Sequence, residues 1–350
     1  MAGSVRRRYT LSAVTAAAVV ALVAGILTAV GSHDTTTHRS AAQLLAAIAT
    51  ADIDGLSGTV VQNADLGLPD LAALGVDMSD VTGGSNQIRL WYAAPDKLRV
   101  AVLDDLGETD VIRNGGDLWT WSSGSDRAQH YPLPARFAHA VRWPAEPGPA
   151  GTDPVTVGRS ILAALASDTE VSTDGTEMVA DRQASRLVLR PTDPDSLIGR
   201  VVLSIDIETG VPLRVQVVPS SGGEVLFDAA FSRVQYGVPD PQNFRFTPPA
   251  DVTVVDRPGD RDTVPVTVAG DGWSRVLVSD PVAEQWSDQD DRPGPEDLAT
   301  MGAALPRVSG EWGSGRLLSS SLLTVLFTDD GRILMGAVTP QCLFRVAAEQ

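Results

Sequence analysis

Leu98-Arg99-Val100-Ala101-Val102-Leu103 decides the fold class. Leu98, Val100 and Val102 fall on one side of an extended chain and Arg99 on the other, the two-residue period of a half-buried strand. Similar short runs surround it, each bounded by Gly, Pro, Asp or Asn: Thr59-Val60-Val61-Gln62, Gln87-Ile88-Arg89-Leu90-Trp91-Tyr92 and Asp110-Val111-Ile112-Arg113. This is the pattern of antiparallel strands. Asp117-Leu118-Trp119-Thr120-Trp121 sets two tryptophans two residues apart, so both project from the same side of a strand. A second set follows at 184–190, 200–207, 212–218, 225–235 and Phe244-Arg245-Phe246, with Glu208-Thr209-Gly210 as a hairpin turn.

Two helices interrupt the strands. Ser40 is the expected N-cap of a helix carrying Leu44, Leu45 and Ile48 on one face. Prolines 132, 134, 144, 147 and 149 mark a long connection or lid, and Val157, Ile161, Leu162 and Leu165 give residues 155–166 a helical period. The segment from Pro248-Pro249 through Pro258 and Gly259 to Thr263 has linker chemistry. Beyond it come strands at 266–268 and 274–278, an acidic loop at 287–297, a short helix at 298–304, and a hairpin through Asp329-Asp330-Gly331. The expected organisation is therefore a basic stub and membrane anchor or signal peptide at 1–35, a β-rich domain at 36–255 and a small α+β domain at 264–350.

Residues 9–32 carry no charge. As a helix they would run roughly 36 Å, against a hydrocarbon core of about 30 Å. Arg6, Arg7 and Arg8 precede them and are held in the cytoplasm by the positive-inside tendency, which places the body outside it. The apolar length favours one uncleaved transmembrane helix, while Ala29-Val30-Gly31 offers a cleavage site that would leave the body secreted. A net charge of −17 repels nucleic acid, so no nucleic-acid partner is expected. Cys342 is the only cysteine, which excludes an intrachain disulfide and Cys-rich metal sites.

Leu90-Trp91-Tyr92, Lys97-Leu98-Arg99, Gly116-Asp117-Leu118-Trp119-Thr120-Trp121, Ile207-Glu208-Thr209-Gly210-Val211-Pro212-Leu213-Arg214 and Phe244-Arg245-Phe246-Thr247-Pro248-Pro249, in this order, resemble the LolA-like superfamily of lipoprotein carriers and RseB/MucB envelope-stress regulators. The resemblance covers about residues 40–255. It implies an α+β fold, namely an unclosed antiparallel β-barrel with a helical lid, followed here by the small C-terminal domain. It also implies a binding protein whose concave face holds the acyl chains of a lipid or lipoprotein. The expected lining is Leu90, Tyr92, Leu98, Val100, Val102, Trp119, Trp121, Leu187 and Leu189. Trp119 and Trp121 admit two readings, core filler or pocket wall. An anchor and an extra domain depart from a freely diffusing carrier. They leave an alternative, an RseB/MucB-like sensor that binds an anti-sigma factor or other membrane partner protein.

No catalytic pattern stands beside this resemblance. The histidines are His33, His38, His130 and His139, without metal-ligand spacing, and are read as solvated or structural. There is no G-x-S-x-G elbow, and the Gly310-to-Gly315 run lacks a P-loop lysine, leaving turn glycines. Asp288, Asp290 and Asp291 lack the glycine and distal glutamate of a calcium loop. Asp104-Asp105 and Asp329-Asp330 sit in turn contexts. No enzyme activity and no cofactor are expected.

Overall fold

The computed structural model describes residues 39–49, 51–67, 83–103, 107–133, 168–256, 266–279 and 305–349, with the short pieces 9–10 and 76–77, which pair in parallel. The expected membrane span from residue 11 onward, the 155–166 helix, the acidic loop and the 298–304 helix lie outside these. No helix among the described residues is long and apolar enough to cross a membrane.

Among the described residues the chain is mostly sheet with few helices, and the sheets do not close. Helix α1 (Ala41–Ala49) leads into β1 (Gly55–Asp65), β2 (Gly83–Ala93), β3 (Lys97–Leu103), β4 (Glu108–Asn114), β5 (Asp117–Ser122) and β6 (Arg127–Pro132). The chain then continues through β7 (Thr169–Val179), β8 (Arg182–Pro191), β9 (Ile198–Asp206), β10 (Pro212–Pro219) and β11 (Phe227–Tyr236), and ends this sheet at β12 (Thr253–Asp256). The twelve strands lie in the order β12-β6-β5-β4-β3-β2-β1-β11-β10-β9-β8-β7. All neighbours are antiparallel except β12, which runs parallel to β6. The return from β11 to β1 is what joins the two strand sets into one sheet.

A second, six-stranded sheet has the order β13-β14-β18-β17-β16-β15. Its strands are β13 (Val266–Ala269), β14 (Val276–Ser279), β15 (Arg307–Gly310), β16 (Gly313–Ser319), β17 (Thr324–Thr328) and β18 (Ile333–Gly336). Helix α2 (Pro340–Glu349) covers one face, burying Cys342, Leu343 and Val346 against Val276, Val278, Leu326 and Leu334.

Helix α1 begins in a reciprocal cap. Ser40 N–H donates to Gln43 Oε1 at 2.7 Å and Gln43 N–H to Ser40 Oγ at 3.3 Å, satisfying two helix-start donors. The Glu208-Thr209-Gly210 turn meets this helix. Gly210 has φ +74°, and a Cβ there would stand 2.2 Å from the Ala47 carbonyl oxygen. Glycine is thus required twice over, for the left-handed backbone and for the close approach.

The sequence reading did not foresee β6, β15, β16 or α2, and three further elements differ from it. Phe244-Arg245-Phe246 is not a strand: Pro241–Phe244 is a 3-10 turn capped by Asp240, whose side chain accepts from Gln242 N–H, and Pro at its first position suits that start. The linker contains β12. Strand β7 was unforeseen because Glu170, Asp174 and Glu177 obscure any alternation, as suits an exposed edge.

Candidate functional site

Partners directly opposite one another in a ladder share a face, and neighbours along a strand alternate. Leu90 pairs with Val100, and Val100 with Val111. Ile88 pairs with Val102, and Tyr92 with Leu98. Across β1 the same face continues through Val60, opposite both Ile88 and Phe231, and through Gln62 to Ala229, Val215, Leu203 and Leu187. Leu189 joins it through Val201. Seven of the nine expected lining residues, Leu90, Tyr92, Leu98, Val100, Val102, Leu187 and Leu189, therefore share one face.

Trp119 and Trp121 do not. They pair with Ile112 and Asp110, which pair in turn with Arg99 and Ala101, on the opposite face. The two indoles do share a side, as expected, but it is the outer one. There they pack on Phe246, at ring-centre distances of 5.2 and 6.0 Å, beneath the segment that carries the chain from β11 to β12. Phe244, 2% exposed, anchors that segment, and the 3-10 turn lies against β3 and β4. Of the two readings of the tryptophans, this packing is the core one.

The shared face is itself uneven. Leu187 and Leu189 are buried with Val201, Leu203, Val215 and Val217 beneath Leu44, Leu45 and Ile48 of α1. A nine-residue helix is about 13 Å long, enough to span about three strands at 4.8 Å spacing. The β2–β4 region has no α-helix over it among the described residues; Leu90, Leu98, Val102 and Val111 are half-buried there, while Ile88, Tyr92 and Val100 are buried, and Leu90 and Leu98 pack against a further core that includes Ile53, Leu56, Tyr92, Val211 and Leu213. Toward β6 the same face turns polar through Thr120 and Gln129, with the Tyr131 hydroxyl donating to Gln129. Arg113, buried at the end of the row, donates Nε–H to the Gly115 carbonyl at 3.2 Å. Burial pulls its pKa down, against the opposing pull of Asp96.

The outer face is ion-paired. Arg99 grips Asp110 through two bonds, at 2.7 and 2.9 Å, reaches Glu108 at 3.3 Å and lies 5.4 Å over the Trp91 ring. Arg214 joins Asp228 at 2.8 Å and Glu177 at 3.0 Å. Elsewhere in the sheet, buried Asp206 accepts from Arg182, from Glu208 N–H at 2.9 Å and, at 2.9 Å, from the hydroxyl of Tyr236, which stands opposite Leu56 on the shared face. Burial alone would raise its pKa, but these donors outweigh it and hold the carboxyl below the ordinary carboxylate range. The Arg99 and Arg214 ion pairs thus share one face with the packed tryptophans, while the other is mostly apolar, with Gln62, Thr109 and Arg113 among its buried residues.

Sequence reasoning missed the contribution of the second sheet. Leu322 is buried in the α1-covered core with Leu187 and Leu189, and Trp273 packs on its border, donating its indole N–H to Thr169 at 2.7 Å. Asp195, in the β8–β9 connection, accepts from Thr339 at 3.1 Å and Arg345 at 2.5 Å, and Leu197 N–H donates to Ala337 at 2.9 Å. Leu322 follows Ser319-Ser320-Ser321 and so reads as the start of a hairpin strand; only tertiary contact reveals its role.

Among the described residues no group of three His, Cys, Asp or Glu could hold a metal ion. His130 lies between Asp117 and Asp256, and His33, His38 and His139 lie outside the described residues.

The family model of the MucB/RseB N-terminal domain matches residues 89–250, from within β2 to just beyond Phe246. Residues 89–250 are thus similar to the MucB/RseB N-terminal domain. The match takes in both the half-open and the filled regions of the large sheet, and leaves α1, β1, β12 and the second sheet outside it. Among solved structures, the Pseudomonas aeruginosa MucA/MucB complex is 18% identical, covering 88% of this chain and 96% of that one with a TM-score of 0.47. A MucB crystal structure is 20% identical over 88% and 96%, with a TM-score of 0.46. A LolA superfamily protein from Nitrosomonas europaea is 12% identical over 60% and 99%, with a TM-score of 0.24. No curated protein matches the chain.

Proposed function

We propose that this chain is an extracytoplasmic, membrane-anchored binding protein, not an enzyme, that holds an acyl chain of a lipid or lipoprotein against the Leu90–Val100–Val111 face of its open sheet. One observation carries the reading: Leu90, Leu98, Val102 and Val111 on this face stay half-buried beside buried Tyr92 and Val100, where the α1-covered part is filled. A twisted sheet of this width curls, which gives such a face a trough-like form. Burying acyl chain contributes about 0.8 kcal/mol per CH₂, so about ten buried methylenes supply the roughly 8 kcal/mol of micromolar binding without any polar recognition. The site lining on this reading is Leu90, Tyr92, Leu98, Val100 and Val102. Leu187 and Leu189 form the packed floor beneath α1.

Native mass spectrometry of the delipidated chain, offered a membrane lipid extract, is expected to show retained acyl-bearing species. A chain that stays free of lipid contradicts the proposal. The second reading, a sensor contacting a membrane partner protein, is favoured by the docked second sheet, which a simple carrier has no need of. Co-purification from membranes separates the two: lipoproteins for a carrier, a signalling membrane protein for a sensor.

A further inference from the structure

We propose that His130 is a proton-controlled clasp that fastens β12, the last strand of the large sheet, to its neighbour β6. The ring of His130 stands between carboxylates from two different strands. Nδ1 is 2.8 Å from Asp256 Oδ1 on β12, and Nε2 is 2.9 Å from Asp117 Oδ1 on β5. An ionised carboxylate only accepts hydrogen bonds, and a neutral imidazole donates from one nitrogen alone. Both contacts are therefore satisfied together only by the imidazolium. In the neutral ring one nitrogen lone pair faces a carboxylate oxygen, and that bond turns repulsive.

The surroundings favour the charged ring. Trp119 stacks on it with centres 4.2 Å apart and planes 21° apart, a face able to attract a cation. The elements packed around His130 present few charges. Strand β5 brings Asp117 and Trp119, β12 brings Asp256, and the segment after the 3-10 turn brings Phe246 against Trp119. Partial burial of the ring works against protonation, but the hydrogen bonds from Asp256 and Asp117 and their charges outweigh it, holding the pKa above the ordinary histidine value.

The strand so fastened depends on the clasp. β12 has four residues, is paired on one side only and runs parallel in a sheet that is otherwise antiparallel, a slightly weaker pairing per residue. Asp256 is its last residue and the ladder partner of His130 itself. The clasp thus sits at the end of β12 from which the chain departs toward the second sheet. Because the folded pKa is raised, the fastening is complete below the unfolded histidine pKa of about 6.5 and is lost as pH rises through the folded value. Acid tightens the strand and alkali loosens it, the opposite of what carboxylate protonation alone would give.

Hydrogen exchange of the 253–256 amides in the full chain, corrected for intrinsic rates, tests this. Protection is expected to fall about tenfold, or 1.4 kcal/mol, as pH rises through the His130 titration, and to be low and independent of pH in His130→Gln. Protection that is flat in the wild type, or unchanged by His130→Gln, overturns the proposal. Should the variant fail to fold, nitrogen-15 shifts of wild-type His130 decide: near about pH 7, where an unperturbed ring is mostly neutral, two protonated ring nitrogens support the clasp and a single one overturns it.

Discussion

Trp119 stands opposite Ile112 across the β4–β5 ladder, one step along from the Val111–Thr120 pair, and that step puts it on the face away from Val100. On the proposed function only the Val100 face meets the ligand. Substitutions on each should separate cleanly.

Val102→Ser, on the half-buried face, is expected to weaken acyl-chain binding about tenfold, since it removes apolar surface worth roughly 1.4 kcal/mol. Trp121→Phe, on the outer face, should leave affinity unchanged; its indole N–H is buried without a hydrogen-bond partner, so that change loses no bond. Displacement of a fluorescent fatty acid from the delipidated chain measures both. Equal losses in the two variants would move the ligand off the proposed face.

Leu187 is fully buried beneath α1, whereas Leu90 is half-buried. Leu187→Ala should therefore cost about 2–5 kcal/mol of stability, and Leu90→Ala markedly less. Urea unfolding gives both numbers. A costlier Leu90→Ala would mean that the open region is packed core.

Gly210→Ala tests the seat of α1 on its hairpin. The left-handed backbone alone costs about 1–2 kcal/mol, and the clash with the Ala47 carbonyl adds to it. Thermal unfolding should report a lowered midpoint, with α1 amides losing exchange protection first.

Much of the fold was legible because half-buried strands alternate visibly. Leu98, Val100 and Val102 announce a face, and Ser40 with Leu44, Leu45 and Ile48 announces a capped helix. The assignment of faces was not legible. Alternation shows that Trp119 and Trp121 share a side, but which side depends on ladder register, and register is a property of two strands together. Strand β7 was hidden by its own exposure, and its turn at Ala180-Asp181 takes left-handed backbone without the Asn-Gly signature. Leu322 and Trp273 reach the α1-covered core only through docking of the second sheet, which no local pattern encodes.

Asp206 predicts an acid limb. Its folded pKa is depressed, so its contribution is fully present above the unfolded aspartate value of about 3.9 and is lost as pH falls through the lower, folded value. Asp206→Ala should lower stability near neutrality by about 1–3 kcal/mol and flatten the acid limb of the urea midpoint against pH. A variant that keeps the wild-type slope would assign acid sensitivity to other carboxylates.

The most direct test of the central claim is photo-crosslinking with a diazirine-bearing fatty acid, followed by peptide mapping. Adducts are predicted on the strands carrying Leu90, Val100, Val102 and Val111. Adducts confined to the Trp119–Trp121 and Phe244–Phe246 segments, or none at all, would contradict it.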